Sequence, residues 1–255
     1  MKETPLGGNL QRAVRVGDTV RRTTGPWTPA VHALLRYLEH RDFPAPRVRG
    51  IDEQGREILE YIEGEAYSGT LEPLPDHVMD EEHLIASARL LRAYHDLISD
   101  FPVPPGARWR LVAPTEHEII CHNDWSPWNA LFRQGQFELT LDWDLAGPGS
   151  RVWDVANAAY SWAPLSVEHT EREISAKARR LRLFLDEYGL RDRSAVLPTM
   201  RLRLQHVGRF IEDQARLDDV GMQRLVGWSV PSKMFVDDVH YLDEHWKTLE
   251  RALSL

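Results

Sequence analysis

Apolar residues recur along this chain with two different periods. Over residues 10–62 they come in short runs bounded by turn signals. Runs at 10–16 and 19–22 meet at Gly17-Asp18, and runs at 47–51 and 56–62 meet around Gln54-Gly55. Short runs joined at such dipeptides predict β-hairpins. Between the two pairs, TPAVHALLRYLEH at 28–40 sets Val31, Leu34, Leu35 and Leu38 on one helical face, with Thr28 expected as cap and Pro29 in the first turn. Pro44 and Pro46 break the chain before the second hairpin.

Further on the period becomes helical. A Pro-rich connection at 67–76 precedes a helix predicted over 81–98, with Leu84, Ala88, Leu91 and Tyr94 facing inward. Beyond residue 154 the pattern predicts helices at 155–162, 168–188, 193–219 and 236–253. The expected fold is therefore α+β: a small β-rich lobe over 1–62 and a larger, mainly helical lobe over 63–255.

The stretch EIICHNDWSPWNALFRQGQFELTLDWDLAGPGSRVWD, residues 118–154, has neither long period. An apolar strand at 119–121 delivers His122-Asn123-Asp124 into a loop that Pro127 keeps from being helical. A strand at 129–132, a turn at Arg133-Gln134-Gly135 and a returning strand at 136–141 form a hairpin. The hairpin brings Asn129 at its entrance beside Asp142 at its exit. Two oxygen ligands from neighbouring strand ends suit Mg2+, which leaves its other positions to water and phosphate oxygens. Gly147, Pro148 and Gly149 are expected to make the next loop sharp and mobile.

Charge and composition narrow the function. A net charge of −8 over 255 residues argues against general nucleic-acid binding and gives a slight preference for cationic partners. Absence of any run of about twenty apolar residues argues against a membrane span, and MKETPLGGNLQR lacks the apolar centre of a signal peptide. With one cysteine, Cys121, no internal disulfide can form, so a cytoplasmic setting is expected. Cys121, at the end of an apolar strand, is expected to be a buried filler rather than a nucleophile.

The order His122-x-Asp124-x4-Asn129, followed after the hairpin by Asp142, matches the catalytic loop and metal-binding Asp of kinases. The wording HNDWSPWNALF with LDWDLAGPGSRVWDVA resembles the aminoglycoside phosphotransferase and choline kinase family more closely than it does protein kinases. The resemblance is specific over 118–158 and looser elsewhere. It implies a bilobal protein-kinase-like fold and transfer of the γ-phosphoryl group of ATP or GTP to a hydroxyl of a small molecule, possibly a cationic one. Under it Asp124 is the base, Asn129 and Asp142 hold Mg2+, His122 braces the loop, Asp144 stands behind them and Asp154 ties the following helix to the loop.

The resemblance assigns the front lobe as well. Gly7 and Gly8 stand at the flap over the phosphates, and Arg22 takes the place of the usual phosphate-binding lysine. Backbone groups of Glu60, Tyr61 and Ile62 form the hinge that receives the base. Kinases fix the cation with a Glu from the helix that follows; here none precedes Glu39, and His32 is a poor substitute. Acids at Glu168, Glu171, Glu212, Asp213 and Asp218 are candidates to meet an ammonium group. Trp125, Trp128, Trp143, Trp153 and Trp162 crowd the same region, mostly as expected core. Two rival functions share these residues: a pseudoenzyme that binds a ligand or partner without transfer, and a metal-dependent hydrolase.

Overall fold

Five short strands make one antiparallel sheet in the spatial order β1-β2-β3-β5-β4: β1 is Thr4–Gly7, β2 Ala13–Val16, β3 Thr19–Arg22, β4 Val48–Ile51 and β5 Glu57–Glu60. The computed structural model in which they lie describes residues 2–7, 13–67, 74–169, 172–217, 219–228 and 231–254. Gly7 closes β1, whereas Gly8 and the first part of the strand expected at 10–16 lie outside the described residues. Helix α1, Thr28–His40, lies between β3 and β4 in the chain and buries Val31, Leu34, Leu35 and Leu38. Its cap is a correction: Trp27 takes the N-cap position, and the Thr28 hydroxyl accepts from the Gly25 amide at 2.9 Å, closing the turn before the helix.

Strand β6, Glu65–Ala66, leaves the first sheet, and α2, Glu81–Ile98, follows at the expected bounds. The central stretch contains β7, Ile119–Cys121, then β8, Ala130–Arg133, and β9, Gln136–Thr140. These last two pair with β6 in the order β6-β8-β9. Asn129 ends a single 3-10 turn, Pro127–Asn129, rather than opening the strand. Pro127 begins that turn, where its missing N–H costs nothing.

The expected mobile loop at Gly147-Pro148-Gly149 is also corrected. These residues form β10, Gly147–Gly149, antiparallel to β7 with Gly149 opposite Ile119 and Gly147 opposite Cys121. The glycines serve close packing instead of motion. A Cβ on Gly147 would lie 1.8 Å from the Leu111 carbonyl oxygen, and one on Gly149 would lie 2.9 Å from Cys121 Sγ.

Helix α3, Arg151–Trp162, begins four residues before the apolar pattern does, because the Ser150 hydroxyl caps it by accepting from the Trp153 amide at 3.3 Å. After it come α4, Ile174–Tyr188, α5, Val196–Arg216, α6, Val220–Trp228, and α7, Pro231–Leu253. The helix expected from 168 starts later, after a separate 3-10 turn at Val167–His169. The helix expected over 193–219 ends at Arg216, and Asp219 instead caps the unforeseen α6 by accepting from the Met222 amide at 3.1 Å. α5 packs against α3, α6 and α7.

Aromatic packing fixes the middle. Trp125, Trp143, Trp153 and Trp162 are all buried, as expected of core residues. The Tyr94 ring of α2 stacks on Trp125 with centroids 6.2 Å apart, meets Trp143 edge-on, and its hydroxyl donates to the Ile120 carbonyl at 2.6 Å. β7 is thereby held against α2. Among the described residues no helix is long and apolar enough to cross a membrane.

Candidate active site

The loop leaving β7 is held from below by one buried carboxylate. Asp154, on the first turn of α3, accepts from the His122 amide at 2.7 Å and the Asn123 amide at 2.8 Å, and His95 Nε2 of α2 donates to it at 3.1 Å. Burial alone would raise this carboxyl, but the bonds from His95 and the nearby His122 outweigh it and hold it below the usual range. His95 accepts from the Tyr188 hydroxyl at 2.7 Å through Nδ1, so its proton is on Nε2. Burial lowers its pKa and keeps it neutral. His95 reads in the sequence as an unremarkable helix residue; its role rests on a contact 59 positions away.

His122 braces the same loop. Its Nε2 donates to the Leu141 carbonyl at 3.1 Å while Nδ1 accepts from the Asp124 amide at 3.1 Å, a pattern that requires the neutral ring. Burial pushes its pKa down to about 4. Asn123 between them sits at a φ of 67°, its side chain donating to the Leu145 carbonyl and accepting from Trp153 Nε1. Arg203 of α5 donates to the Asn123 carbonyl. Cys121 is fully buried, and its thiol is pushed well up by burial. That suits the filler role.

Asp124 comes out of this scaffold facing a cavity of about 190 Å³. Asn129 Nδ2 donates to its Oδ2 at 2.8 Å and to its carbonyl at 2.9 Å. Burial, then the charge of Asp142, pushes the Asp124 carboxyl up to about 6, against the pull of the Asn129 bond. Asn129 and Asp142 line a second crevice, of about 340 Å³, together with Arg22, Glu60, Tyr61 and Ile62. Trp128, 39% exposed, lines both. The two spaces therefore meet at the segment that carries Asp124, Trp128 and Asn129.

The front of the crevice is organised around Arg22. Its Nε donates to Glu57 Oε1 at 2.7 Å, Nη1 to Asp142 Oδ1 at 3.0 Å and Nη2 to Asp144 Oδ1 at 2.8 Å. Burial works against its charge, but Asp144, Glu57 and Asp142 outweigh it and raise its pKa well above the ordinary value. The Glu that helix α1 lacks is supplied by β5. Glu57 is the direct cross-strand partner of Arg22 in the β3–β5 ladder, and its Oε2 is 2.9 Å from His32 Nε2 of α1. Asp144 is buried, which pushes its carboxyl up to about 6 despite Arg22.

At the hinge, the Glu60 amide donates to the Arg47 carbonyl and the Tyr61 amide to the Asp18 carbonyl, both at 2.8 Å. Among the acidic candidates, Glu168 lines the 190 Å³ cavity, while Glu212 and Asp213 pair with Arg216 on the surface. Glu171 and Asp218 lie outside the described residues. Asp238 of α7, absent from the expectations, lines the cavity and accepts from the Tyr160 hydroxyl at 2.5 Å and the Val167 amide at 2.8 Å.

The donor set fits a hard cation of low protein coordination. Asn129 turns its nitrogen to Asp124, which leaves its amide oxygen for other partners, and Asp142 lines the same crevice with about a third of its side chain exposed. No cluster of three or more His, Cys, Asp or Glu able to hold a metal occurs among the described residues. A magnesium ion that draws most of its ligands from phosphate and water needs no such cluster.

A sheet carrying Arg22 and a loop carrying Asn129 thus line one crevice. The chain belongs to the phosphotransferase enzyme family: residues 105–192 match that family's model, described as "Phosphotransferase enzyme family". It is 36% identical over 197 residues to the trifolitoxin immunity protein of Rhizobium leguminosarum bv. trifolii, covering 72% of each chain. The fold is similar to that of an amicoumacin kinase in complex with AMP-PNP and Ca2+, with a TM-score of 0.65, 12% identity and coverage of 91% of this chain and 87% of the other. It is likewise similar to a choline/ethanolamine kinase family protein from Mesorhizobium loti, with a TM-score of 0.60, 14% identity and coverage of 100% and 92%.

Two predictions follow from these contacts. Replacing Glu57 by Leu strips Arg22 and His32 of a buried carboxylate, and chemical denaturation should show a loss of about 3–5 kcal/mol; a loss under about 1 kcal/mol would mean that Asp142 and Asp144 hold Arg22 unaided. His122 is neutral in the fold with a pKa of about 4, against about 6.5 when unfolded. Its contribution is complete above pH 6.5 and is lost as pH falls toward 4. The stability advantage of the wild type over His122→Gln should therefore shrink across that window by up to about 3 kcal/mol. Taking the difference between the two proteins removes the opposite trend from Asp124 and Asp144, and an advantage independent of pH would refute a neutral buried imidazole.

Proposed function

We propose that this protein transfers the γ-phosphoryl group of ATP or GTP to a hydroxyl of a small molecule held in the 190 Å³ cavity. The observation that carries the reading is the position of Asp124. It faces that cavity while bonded to Asn129, which lines the crevice assigned to the nucleotide. In the transfer a bond forms between the acceptor oxygen and the γ-phosphorus, the bond from that phosphorus to the β,γ-bridging oxygen breaks, and the electron pair leaves with the nucleoside diphosphate. The hydroxyl proton passes to Asp124. With a carboxyl poised at about 6, Asp124 is ionised at neutral pH and still basic enough to take it.

Other residues position the reactants. The base of the nucleotide lies at the hinge of Glu60, Tyr61 and Ile62, and because the first two amides are committed to the fold, backbone donation to the base is left to Ile62. Gly7, at the end of β1, would stand over the phosphates. Arg22 supplies the cation that meets them. Asn129 and Asp142 would hold Mg2+, which when bound neutralises phosphate charge; Asp142 Oδ1 must then share or release Arg22 Nη1.

Asp124→Asn should lower kcat by about 10²–10⁴-fold while calorimetry shows unchanged Mg-dependent nucleotide binding. Near-normal turnover would remove Asp124 as the base, and absence of Mg-dependent nucleotide binding in the wild type would favour the pseudoenzyme. Hydrolysis without acceptor at the full rate would favour the hydrolase.

The relative's name supports a second reading, in which this chain protects a cell from a toxin by phosphorylating it. In a trifolitoxin-sensitive strain, protection by the wild type but not by Asp124→Asn is the expected outcome. Equal protection by both would assign immunity to binding alone.

A further inference from the structure

Helix α3 carries more than the anchor of the catalytic loop. Asp154, Asn157 and Ser161 stand at i, i+3 and i+7, one face of the helix. Asp154 turns that face toward the loop, and the next two positions continue along it into the cavity that Asp124 lines. Both are polar and nearly closed off from water: Asn157 is 7% and Ser161 5% exposed. Asn157 Nδ2 and Ser161 Oγ nevertheless have no hydrogen-bond partner in the protein.

A buried donor without a partner costs stability, and apolar residues of similar size would avoid that cost. Two of them, one turn apart and about 6 Å along the helix axis, line the same cavity as the base and aim two polar groups at one ligand. We infer that Asn157 and Ser161 read the acceptor, and that the acceptor is a compact hydroxyl compound carrying, within a few bonds of the reacting hydroxyl, a second oxygen that accepts hydrogen bonds. This rests on the phosphotransfer reading for which hydroxyl faces Asp124; the binding chemistry stands on the pair itself.

Three further observations bound the class. The amide nitrogen of Asn157 can only donate, and the Ser161 hydroxyl can donate or accept, so the matching group is a hydroxyl, carbonyl or amide oxygen. A quaternary ammonium offers no lone pair and would leave Asn157 unpaired, a mismatch that polar sites reject strongly. Besides Asp124, which faces the reacting hydroxyl, the cavity acids are Asp238, engaged by Tyr160 and Val167, and Glu168, exposed at the surface, and Arg203 adds a cation to the same lining. The cavity is also lined by the apolar Leu165, Met200, Leu204 and Phe235. At about 190 Å³ the space is also below the ~300–1,000 Å³ of pockets for drug-sized ligands, which favours a small acceptor or a single protruding side chain of a larger one.

The test uses the full chain with three probes, glycerol, N-acetyl-L-threoninamide and choline, and two variants, Asn157→Leu and Ser161→Ala. Calorimetry without nucleotide reads binding, and nucleoside diphosphate release reads transfer. Glycerol or the threoninamide should bind more tightly than choline, and each variant should weaken that binding at least tenfold. Because neither group has a hydrogen-bond partner within the protein, thermal unfolding of the variants should occur at or above the wild-type temperature, where a merely structural pair would lower it. Binding that depends on the pair but is not followed by phosphate transfer would refute the transfer reading and keep this one. Choline as the preferred probe, absence of binding by both oxygen-bearing probes, or variants that bind like the wild type would each overturn the assignment.

Discussion

A single carboxylate, Asp154, decides how the loop that carries Asp124 is held. It sits where no water reaches it and accepts from two consecutive backbone amides of the loop and from His95. A buried charge is tolerated only when its oxygens are satisfied in this way. The His122 and Asn123 amides fix the chain entering the left-handed Asn123, and the Asp124 amide, donating to His122 Nδ1, fixes the chain leaving it; a φ of 67° is one that a residue other than glycine adopts at a cost. Trp153, Leu145 and Arg203 each take a further bond with Asn123. The strain is therefore supported from the core side, and Asp124 is presented on rigid backbone rather than on a swinging loop.

Arg22 plays the complementary part at the front of the crevice, with a different electrostatic logic. One guanidinium faces three carboxylates, Glu57, Asp142 and Asp144, so the cluster is net negative before any ligand arrives. Glu57 and His32 hold Arg22 to the sheet and to α1, while Asp142 remains partly exposed toward the crevice. Such an excess of anionic oxygens around one cation is suited to receive a second, divalent one together with phosphate. It also explains how the helix can lack its usual acid. The pairing has moved to the neighbouring strand, which delivers a carboxylate to the same guanidinium by ladder register instead of helix position.

Legibility in the sequence followed chain distance. His122, Asp124, Asn129 and Asp142 were readable because a strand, a turn and a hairpin place them within 21 positions, and local rules set that geometry. Arg22 with Glu57 spans 35 positions and depends on β3 pairing with β5 as well as with its sequence neighbour β2, which apolar alternation does not encode. His95 with Asp154 spans 59, between two helices that look self-sufficient. The reading of Gly147 and Gly149 as part of a sharp, mobile loop failed for a related reason: glycine signals absent side-chain volume as readily as freedom, and only the Leu111 carbonyl shows which. Asp219 did carry a usable signal, since an acid after an amphipathic run can cap the next helix as well as prolong the last.

The same helix face explains why acceptor recognition and catalysis need not be separable here. Asp154, Asn157 and Ser161 are carried on α3 without an intervening joint, so any shift that moved the polar pair in the cavity would also move the anchor of the catalytic loop. A compact acceptor held by that pair is thereby referenced to the same rigid body that positions Asp124. Its wall on the other side comes from α5 and α7, which pack on each other and contribute Met200, Leu204 and Phe235. Changing those apolar residues can alter the size of the acceptor without disturbing the base, whereas changing α3 cannot. Divergence of acceptor among chains of this architecture is physically easiest at Met200, Leu204 and Phe235, where van der Waals volume is at stake, and not at Arg203 or Asp238 of the same two helices, which are bonded to Asn123 and to Tyr160 and Val167.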